Sequence, residues 1–147
     1  MKILAENKRA KFDYELLETY EAGLVLRGFE VKAIKTGHVN LLGSYVVGRE
    51  SEFYLINAFI PSYQPSNTPE DYDPYRSRKL LLKKSEINSL IGKVKTKGLT
   101  LIPIKIYTKK SRIKLEFAVG KGKRKIDKRE IIKKRDMERE AGRRFKN

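Results

Sequence analysis

The stretch LTLIPIKIYTKKSRIKLEFAV, residues Leu99–Val119, alternates apolar and polar side chains along much of its length. Over Ile113–Val119 every second residue is large and apolar, which is the period of a β-strand with one buried face. Leu99–Tyr107 predicts the partner strand of a hairpin, and the polar residues Thr108–Arg112 predict the turn between the strands. Pro103 lacks an amide proton, so it predicts an edge position or a bulge in the first strand.

The segment before this hairpin has the periodicity of a helix. Apolar residues recur at intervals of three and four over Ile87–Val94. Ser85 is a suitable N-cap for this helix, and Gly98 is a suitable stop signal after it. A second helix of about two turns is expected over Glu30–Thr36, ending at Gly37.

Three further segments are rich in Val, Leu, Tyr and Phe and indicate strands. They are Gly23–Arg27, Ser44–Val47 and Phe53–Ile60. Because short strands outnumber helices, the sequence predicts a mainly β fold with appended helices. The favoured architecture is an OB-like closed β-barrel formed by residues 1–120, and a two-layer α+β sandwich would produce a similar pattern.

One long loop, Pro61–Arg78, interrupts this series of short elements and contains four of the five prolines. Three tyrosines and three cations lie in or beside it: Tyr63, Tyr72, Tyr75, Arg76, Arg78 and Lys79. Tyrosine rings next to cations suit stacking on unpaired bases together with phosphate contacts. The alternative is that the tyrosines pack the loop onto the barrel.

Positive charge dominates the chain, which has 34 Lys and Arg against 18 Asp and Glu and a net charge of +16. Residues 121–147 alone contribute +8, with few apolar residues among their charges. We expect this tail to be disordered when free, because it cannot bury enough apolar surface to offset the entropy of ordering. RNA or DNA is its expected partner, since neutralised phosphates release counterions, and a purely solubilising tail is the alternative.

The sequence gives no indication of a membrane partner. No run approaches the roughly 18 apolar residues of a membrane span, and the first residues do not resemble a secretory signal. We therefore expect a cytoplasmic protein.

Candidate catalytic and metal-binding groups are weak. There is no Cys and only one histidine, His38, which is expected to be a solvated or hydrogen-bonded loop residue. The GKGK run at Gly120–Lys123 lacks the ending of a phosphate-binding loop and is expected to be a flexible hinge before the tail. Glu70, Asp71 and Asp73 lack the spacing of a calcium loop and indicate turns. We expect no catalytic residue, no metal and no cofactor, so an enzyme is the weaker class.

Seven blocks of the chain resemble, in order, one bacterial family. They are Asn7–Tyr14 (NKRAKFDY), Tyr20–Gly23 (YEAG), Gly28–Asn40 (GFEVKAIKTGHVN), Ser44–Val46 (SYV), Arg78–Leu82 (RKLLL), Gly98–Tyr107 (GLTLIPIKIY) and Val119–Glu130 (VGKGKRKIDKRE). Together they resemble small protein B, the tmRNA-binding (SsrA-binding) protein family of bacterial trans-translation. A match of several spaced blocks is far more specific than any one of them.

The resemblance implies an RNA-binding adaptor that makes and breaks no bond. Its OB-like barrel would bind the tRNA-like domain of tmRNA and deliver it to stalled ribosomes. Its tail, 121–147, would become helical in the decoding centre and the empty mRNA channel, against small-subunit rRNA. The implied partners are tmRNA, the ribosome and, indirectly through alanyl-tmRNA, elongation factor Tu, with the protein itself a monomer.

The resemblance, together with the positive charge of the chain, indicates particular residues. Those expected to bind RNA are Lys8, Arg9, Lys11, Tyr14, Glu21, Lys32, Asn40, Lys79, Leu81 and Lys83. Those expected in the ribosome-binding tail are Asp127, Lys128, Arg129, Lys133, Lys134, Arg135 and Arg139. Glu21 is unusual in an RNA-binding protein, because a carboxylate repels phosphate. It could accept hydrogen bonds from base amino groups, or it could hold a neighbouring Lys in place.

Three positions depart from the family pattern, which often has His in place of Phe12, His or Asn in place of Lys83, and His in place of Ile126. Ile126 offers apolar contact only, whereas Lys83 adds a cation for phosphate.

Two other functions fit the same charge and fold. They are a structural ribosomal protein and a small RNA-processing enzyme, and the latter would need an acid, a base and a metal set.

Overall fold

The computed structural model describes residues 1–63 and 68–123, which form seven strands and three helices. In chain order these are β1 Lys2–Glu6, α1 Ala10–Asp13, β2 Tyr14–Leu24, α2 Gly28–Lys35, β3 Tyr45–Arg49, β4 Glu52–Ile56, β5 Arg78–Leu81, α3 Lys84–Val94, β6 Leu99–Lys109 and β7 Arg112–Gly122. The predicted excess of strands over helices is confirmed for these residues.

Six of the strands close into a ring. Neighbours pair in the order β6, β3, β4, β5, β2 and β7, and β7 pairs again with β6. All of these pairings are antiparallel, and β1 adds to β6 as a seventh strand. The interior is filled by side chains such as Phe53, Leu55, Ile106 and Phe117, each exposed by 2% or less. The mainly β, OB-like closed barrel with appended helices is therefore confirmed over the two-layer sandwich.

The predicted hairpin is the longest strand pair of the barrel. β6 and β7 are in register from Leu99 opposite Lys121 to Lys109 opposite Arg112. The turn is shorter than expected: Lys110 and Ser111, with φ of 51° and 65°, connect the strands in two left-handed residues. The register shifts between Pro103 and Lys105, so the bulge predicted from the proline is confirmed.

Strand β2 extends well beyond the predicted strand. The Gly23–Arg27 prediction captured only its last two residues, because β2 begins at Tyr14 and ends at Leu24. A register shift between Leu16 and Glu18 interrupts the alternation that would otherwise have indicated a strand.

The hinge predicted over Gly120–Lys123 is wrong for its first three residues, which belong to β7. Gly120 pairs with Leu16 of β2 and Thr100 of β6. A Cβ at this position would clash with Ile102 Cδ1 and lie 3.3 Å from Tyr14 Cβ, so the glycine lets these side chains pack against the β7 backbone and does not act as a flexible joint.

Both predicted helices are present with shifted ends. α2 covers Gly28–Lys35 and α3 covers Lys84–Val94. The N-cap of α3 is Lys83 and not Ser85, because the Glu86 carboxylate accepts a hydrogen bond from the Lys83 amide at 3.1 Å and satisfies the helix start. The short elements β1, α1 and β5 were not predicted.

Candidate RNA-binding surface

Six of the ten residues expected to bind RNA lie toward the two ends of β2: Lys8, Arg9, Lys11, Tyr14, Glu21 and Leu81. Tyr14 begins the strand, directly after α1 and the Lys8–Lys11 segment. Glu21 lies seven residues further along, and Gly23 pairs with Leu81 of β5. At about 3.3 Å per residue, Tyr14 and Glu21 are on the order of 20 Å apart along the strand. These six residues therefore form two groups, one at each end of this strand.

At the first end a cleft of about 550 Å³ opens between α1 and β3. Arg9, Tyr14 and Tyr45 all line it. The Arg9 guanidinium lies 4.8 Å from the centre of the Phe12 ring and 3.4 Å from an oxygen of Asp13, while 61% of its side chain remains exposed. Sequence reasoning did not assign Tyr45 a role, although this ring is 45% exposed at the cleft.

The tail leaves the barrel at this same end. The Lys123 amide donates to the Asp13 carbonyl at 2.9 Å, and its Nζ donates to the Lys11 carbonyl at 2.8 Å. Gly122 pairs with Tyr14. The predicted tail residues Asp127, Lys128, Arg129, Lys133, Lys134, Arg135 and Arg139 lie outside the described residues.

At the second end Glu21 is held by a tyrosine. The Tyr107 hydroxyl donates to Glu21 Oε2, and Lys109 Nζ lies 3.5 Å from Oε1. The hydrogen bond from Tyr107 lowers the pKa of Glu21, with a smaller contribution from the charge of Lys109. Burial and the same hydrogen bond raise the pKa of Tyr107. Glu21 therefore contacts a neighbouring lysine, as one of the two alternatives expected, but the closer partner is a tyrosine.

Beside Glu21 lies a groove of about 470 Å³ with an apolar floor. Leu81, 54% exposed, lies in this groove together with Lys35, Arg112 and Lys114. The three cations were not predicted. The basic turn KKSR between the hairpin strands could have indicated Arg112 from the sequence. Lys35 lies on α2, and only the tertiary fold brings it to this groove. We call this site the Leu81 groove.

The other expected residues have local contacts. Lys79 forms an ion pair with Glu52 at 2.8 Å. The Asn40 side chain accepts a hydrogen bond from the Leu42 amide at 2.9 Å. Lys32 is exposed on α2, and Lys83 is exposed at the start of α3. None of these four residues lines the cleft or the Leu81 groove.

Part of the long loop packs against the barrel. The Tyr72 ring lies edge-on to Phe29 with 4.7 Å between centroids, and its hydroxyl bonds Glu30 at 3.0 Å. Arg78 is fully buried and donates to the same carboxylate, with its Nη2 atom 2.7 Å from Oε2. The packing alternative therefore holds for Tyr72, and Arg78 is not available to phosphate.

His38 has the local role that was expected. It is exposed, and its Nδ1 lies 2.8 Å from the Thr36 hydroxyl.

Within residues 1–63 and 68–123, no three His, Asp or Glu side chains are grouped to hold a metal ion. No helix in that part of the chain has the length and apolar character needed to cross a membrane. What the surface does offer is exposed aromatic rings, cations and an apolar groove on a small closed barrel. Such barrels form a recurrent class of nucleic-acid-binding modules, and this chain has the fold and charge of that class.

Comparison with known proteins makes the class specific. The family model described as "SmpB protein" matches residues 4–147. The SsrA-binding protein of Persephonella marina is 50% identical over 146 residues, which cover 99% of this chain and 95% of that protein. The SsrA-binding protein of Thermosynechococcus vestitus is 47% identical, with 99% and 96% covered. The chain belongs to the SmpB family.

A solved structure supports the same assignment. It is described as "tmRNA-SmpB: a journey to the center of the bacterial ribosome" and superimposes with a TM-score of 0.67 at 44% sequence identity. The superposition covers 86% of this chain and 92% of the other.

Proposed function

We propose that this protein is the tmRNA-binding adaptor of trans-translation. The observation that carries the proposal is the match of the SmpB family model over residues 4–147, which includes the whole tail and all but the first three residues of the barrel. Relatives that share about half of its residues are named SsrA-binding proteins. The adaptor binds the tRNA-like domain of tmRNA and delivers it to a stalled ribosome.

We further propose a division of labour between the barrel, 1–120, and the tail, 121–147. The barrel carries exposed aromatic and hydrogen-bonding side chains, which can read RNA shape, whereas the tail offers mainly charge. In this proposal the barrel also includes residues 121 and 122, because β7 continues to Gly122. The tail occupies the decoding centre and the empty mRNA channel as a helix. The tRNA-like domain of tmRNA can then enter the ribosome although no codon is present.

The adaptor acts by binding and makes or breaks no bond itself. Its partners are tmRNA and the ribosome, including small-subunit rRNA, with elongation factor Tu joining through alanyl-tmRNA. It works in the cytoplasm as a monomer. Lys8, Arg9, Lys11 and Tyr14 contact RNA at one end of β2, and Leu81 with its neighbouring cations contacts RNA at the other.

The test compares three RNAs at one salt concentration: tmRNA, an elongator tRNA and a random duplex. A protein specific for tmRNA binds it more tightly than the other two RNAs. This order of affinities persists as the salt concentration rises, because non-electrostatic contacts are less screened. Equal affinity for all three RNAs would instead describe a general basic RNA-binding protein. Sedimentation of cell extracts adds a second readout, since an adaptor is substoichiometric on ribosomes and a structural ribosomal protein is not.

A further inference from the structure

Tyr107 is a buried residue whose hydroxyl group reaches a partly exposed carboxylate. Only 4% of the residue is exposed, yet its hydroxyl reaches Glu21, whose side chain is 38% exposed. A buried tyrosine hydroxyl requires a hydrogen-bond partner, and an ionised carboxylate is among the strongest available. The contact joins β6 to β2 across the intervening strand β7.

Glu21 keeps hydrogen-bonding capacity toward solvent. Tyr107 uses Oε2, while Lys109 Nζ is 3.5 Å from Oε1, at the outer limit of a hydrogen bond. An ionised carboxylate has about four acceptor sites. Oε1 can therefore accept a further hydrogen bond at the exposed surface.

The surroundings of Glu21 are cationic. Lys109 and Lys114 both act on its charge, and Lys114 also lines the Leu81 groove with Lys35 and Arg112. A carboxylate here weakens the attraction for phosphate, so it lowers non-specific RNA affinity. A mobile glutamate would also be free to turn toward these cations. The buried Tyr107 hydroxyl restrains it and leaves one oxygen exposed.

The barrel contains a second Tyr–Glu–Lys set with a different arrangement. The Tyr54 hydroxyl donates to Glu52 at 3.1 Å, and Lys79 pairs with the same carboxylate at 2.8 Å. Here the lysine is close enough to neutralise the glutamate, and none of the three residues lines the Leu81 groove. This set is a matched control for Tyr107.

We propose that Tyr107 is a positioning residue that fixes the Glu21 carboxylate so that Oε1 accepts a hydrogen bond from an N–H donor on an RNA base edge. The amino groups of cytosine, adenine and guanine are donors of this class. The inference rests on the proposed function, because the RNA in question is tmRNA. Tyr107 itself does not touch the RNA.

The experiment measures the affinity of Tyr107→Phe for tmRNA and for a random duplex at matched salt. This variant removes the hydrogen bond that positions the charged Glu21 carboxylate. We expect its affinity for tmRNA to fall by about tenfold and its affinity for the duplex to stay unchanged. Glu21→Gln lowers tmRNA affinity to a similar extent. The double variant binds tmRNA with the same affinity as the single variant that binds less tightly, because both changes remove the same interaction. Tyr54→Phe retains wild-type affinity for both RNAs.

An NMR titration of the Glu21 carboxyl group supplies a readout independent of RNA. In Tyr107→Phe its pKa returns toward the ordinary value, while in Tyr54→Phe it does not change. Urea unfolding verifies that each variant is folded. If Tyr107→Phe does not fold, Glu21→Asp replaces it, since the shorter side chain keeps the charge but withdraws the carboxylate from Tyr107.

The proposal is overturned if the variants lose affinity equally for both RNAs, if their effects simply add, or if tmRNA binding is unaffected. Any of these results assigns the Tyr107–Glu21 contact to the stability of the barrel. Failure of the proposed function is seen separately, in the wild-type protein, as the absence of any preference for tmRNA over the duplex.

Discussion

Replacing Glu30 with Gln removes the charge at the centre of a buried ion cluster. Both oxygens of Glu30 are occupied: the side chain bonds the Arg27 amide at 2.8 Å, Arg78 Nε at 2.9 Å and Arg76 Nε at 3.0 Å. Glu30 and Arg78 are both fully buried. The cluster joins α2 to β5, and these elements supply Lys35 and Leu81 to the Leu81 groove.

The magnitude follows from two estimates. These hydrogen bonds and charges outweigh desolvation and lower the pKa of Glu30 from 4.5 to about 2, a difference that corresponds to about 3 kcal/mol. Removing one partner of a buried ion pair costs about 3–5 kcal/mol in other proteins. We therefore expect Glu30→Gln to lower the free energy of unfolding by about 3 kcal/mol at pH 7.

The assay is urea unfolding followed by circular dichroism, at pH 7 and at several lower values. Because the folded-state pKa is depressed, the contribution of Glu30 is complete above the unfolded pKa of 4.5 and is lost as pH falls toward about 2. The difference between wild type and Glu30→Gln should thus shrink over this range. The control Glu52→Gln removes an exposed ion pair and should unfold close to wild type.

If the free energy of unfolding of Glu30→Gln is within about 1 kcal/mol of wild type at pH 7, the buried ion cluster does not stabilise the fold to the expected extent. A large difference that does not depend on pH would also contradict this expectation, since that would place the effect in packing and not in charge.

Three further predictions concern RNA binding. Truncation after Lys123 keeps β7 intact and should cost little affinity for isolated tmRNA in a filter-binding assay; loss of most binding would contradict the division of labour. Replacing residues 127–129 by Ala, or inserting Pro at Lys134, should leave tmRNA affinity intact but abolish alanine transfer to the stalled ribosome. Full transfer by the Pro variant would show that the tail acts as a flexible tether and not as a helix. Arg112→Gln and Lys114→Gln should each reduce the salt dependence of binding by about one phosphate contact; an unchanged slope would exclude these residues from the interface.

The parts of the fold that could be predicted from the sequence are those with an unbroken local pattern. The β6–β7 hairpin was predicted because its side chains alternate, and the helix over Ile87–Val94 because its apolar residues recur at helical spacing. β2 was largely missed, because a bulge between Leu16 and Glu18 places apolar and polar residues out of phase. Register shifts of this kind depend on the partner strand and leave little trace in one sequence.

Long-range contacts explain the remaining errors. Arg78 sits in a basic, surface-like run, yet it is buried because Glu30, 48 residues earlier, accepts its hydrogen bonds. Likewise Glu21 could be recognised from the sequence, whereas Tyr107 could not, since only the closed sheet brings β6 and β2 within reach. The resemblance supplied candidate residues, and the structure places six of them toward the two ends of β2 and the other four elsewhere on the surface.

The central claim is that this chain enables tmRNA to enter a ribosome that lacks a codon. The direct measurement is alanine transfer in a purified system, with ribosomes stalled on a truncated mRNA, alanyl-tmRNA and elongation factor Tu, in the presence and absence of the protein. We expect transfer only when the full chain is present, and we expect the chain truncated after Lys123 to bind tmRNA without supporting transfer. Transfer at the same rate without the protein, or no transfer with it despite tight tmRNA binding, would show that the chain does not bring tmRNA into the stalled ribosome.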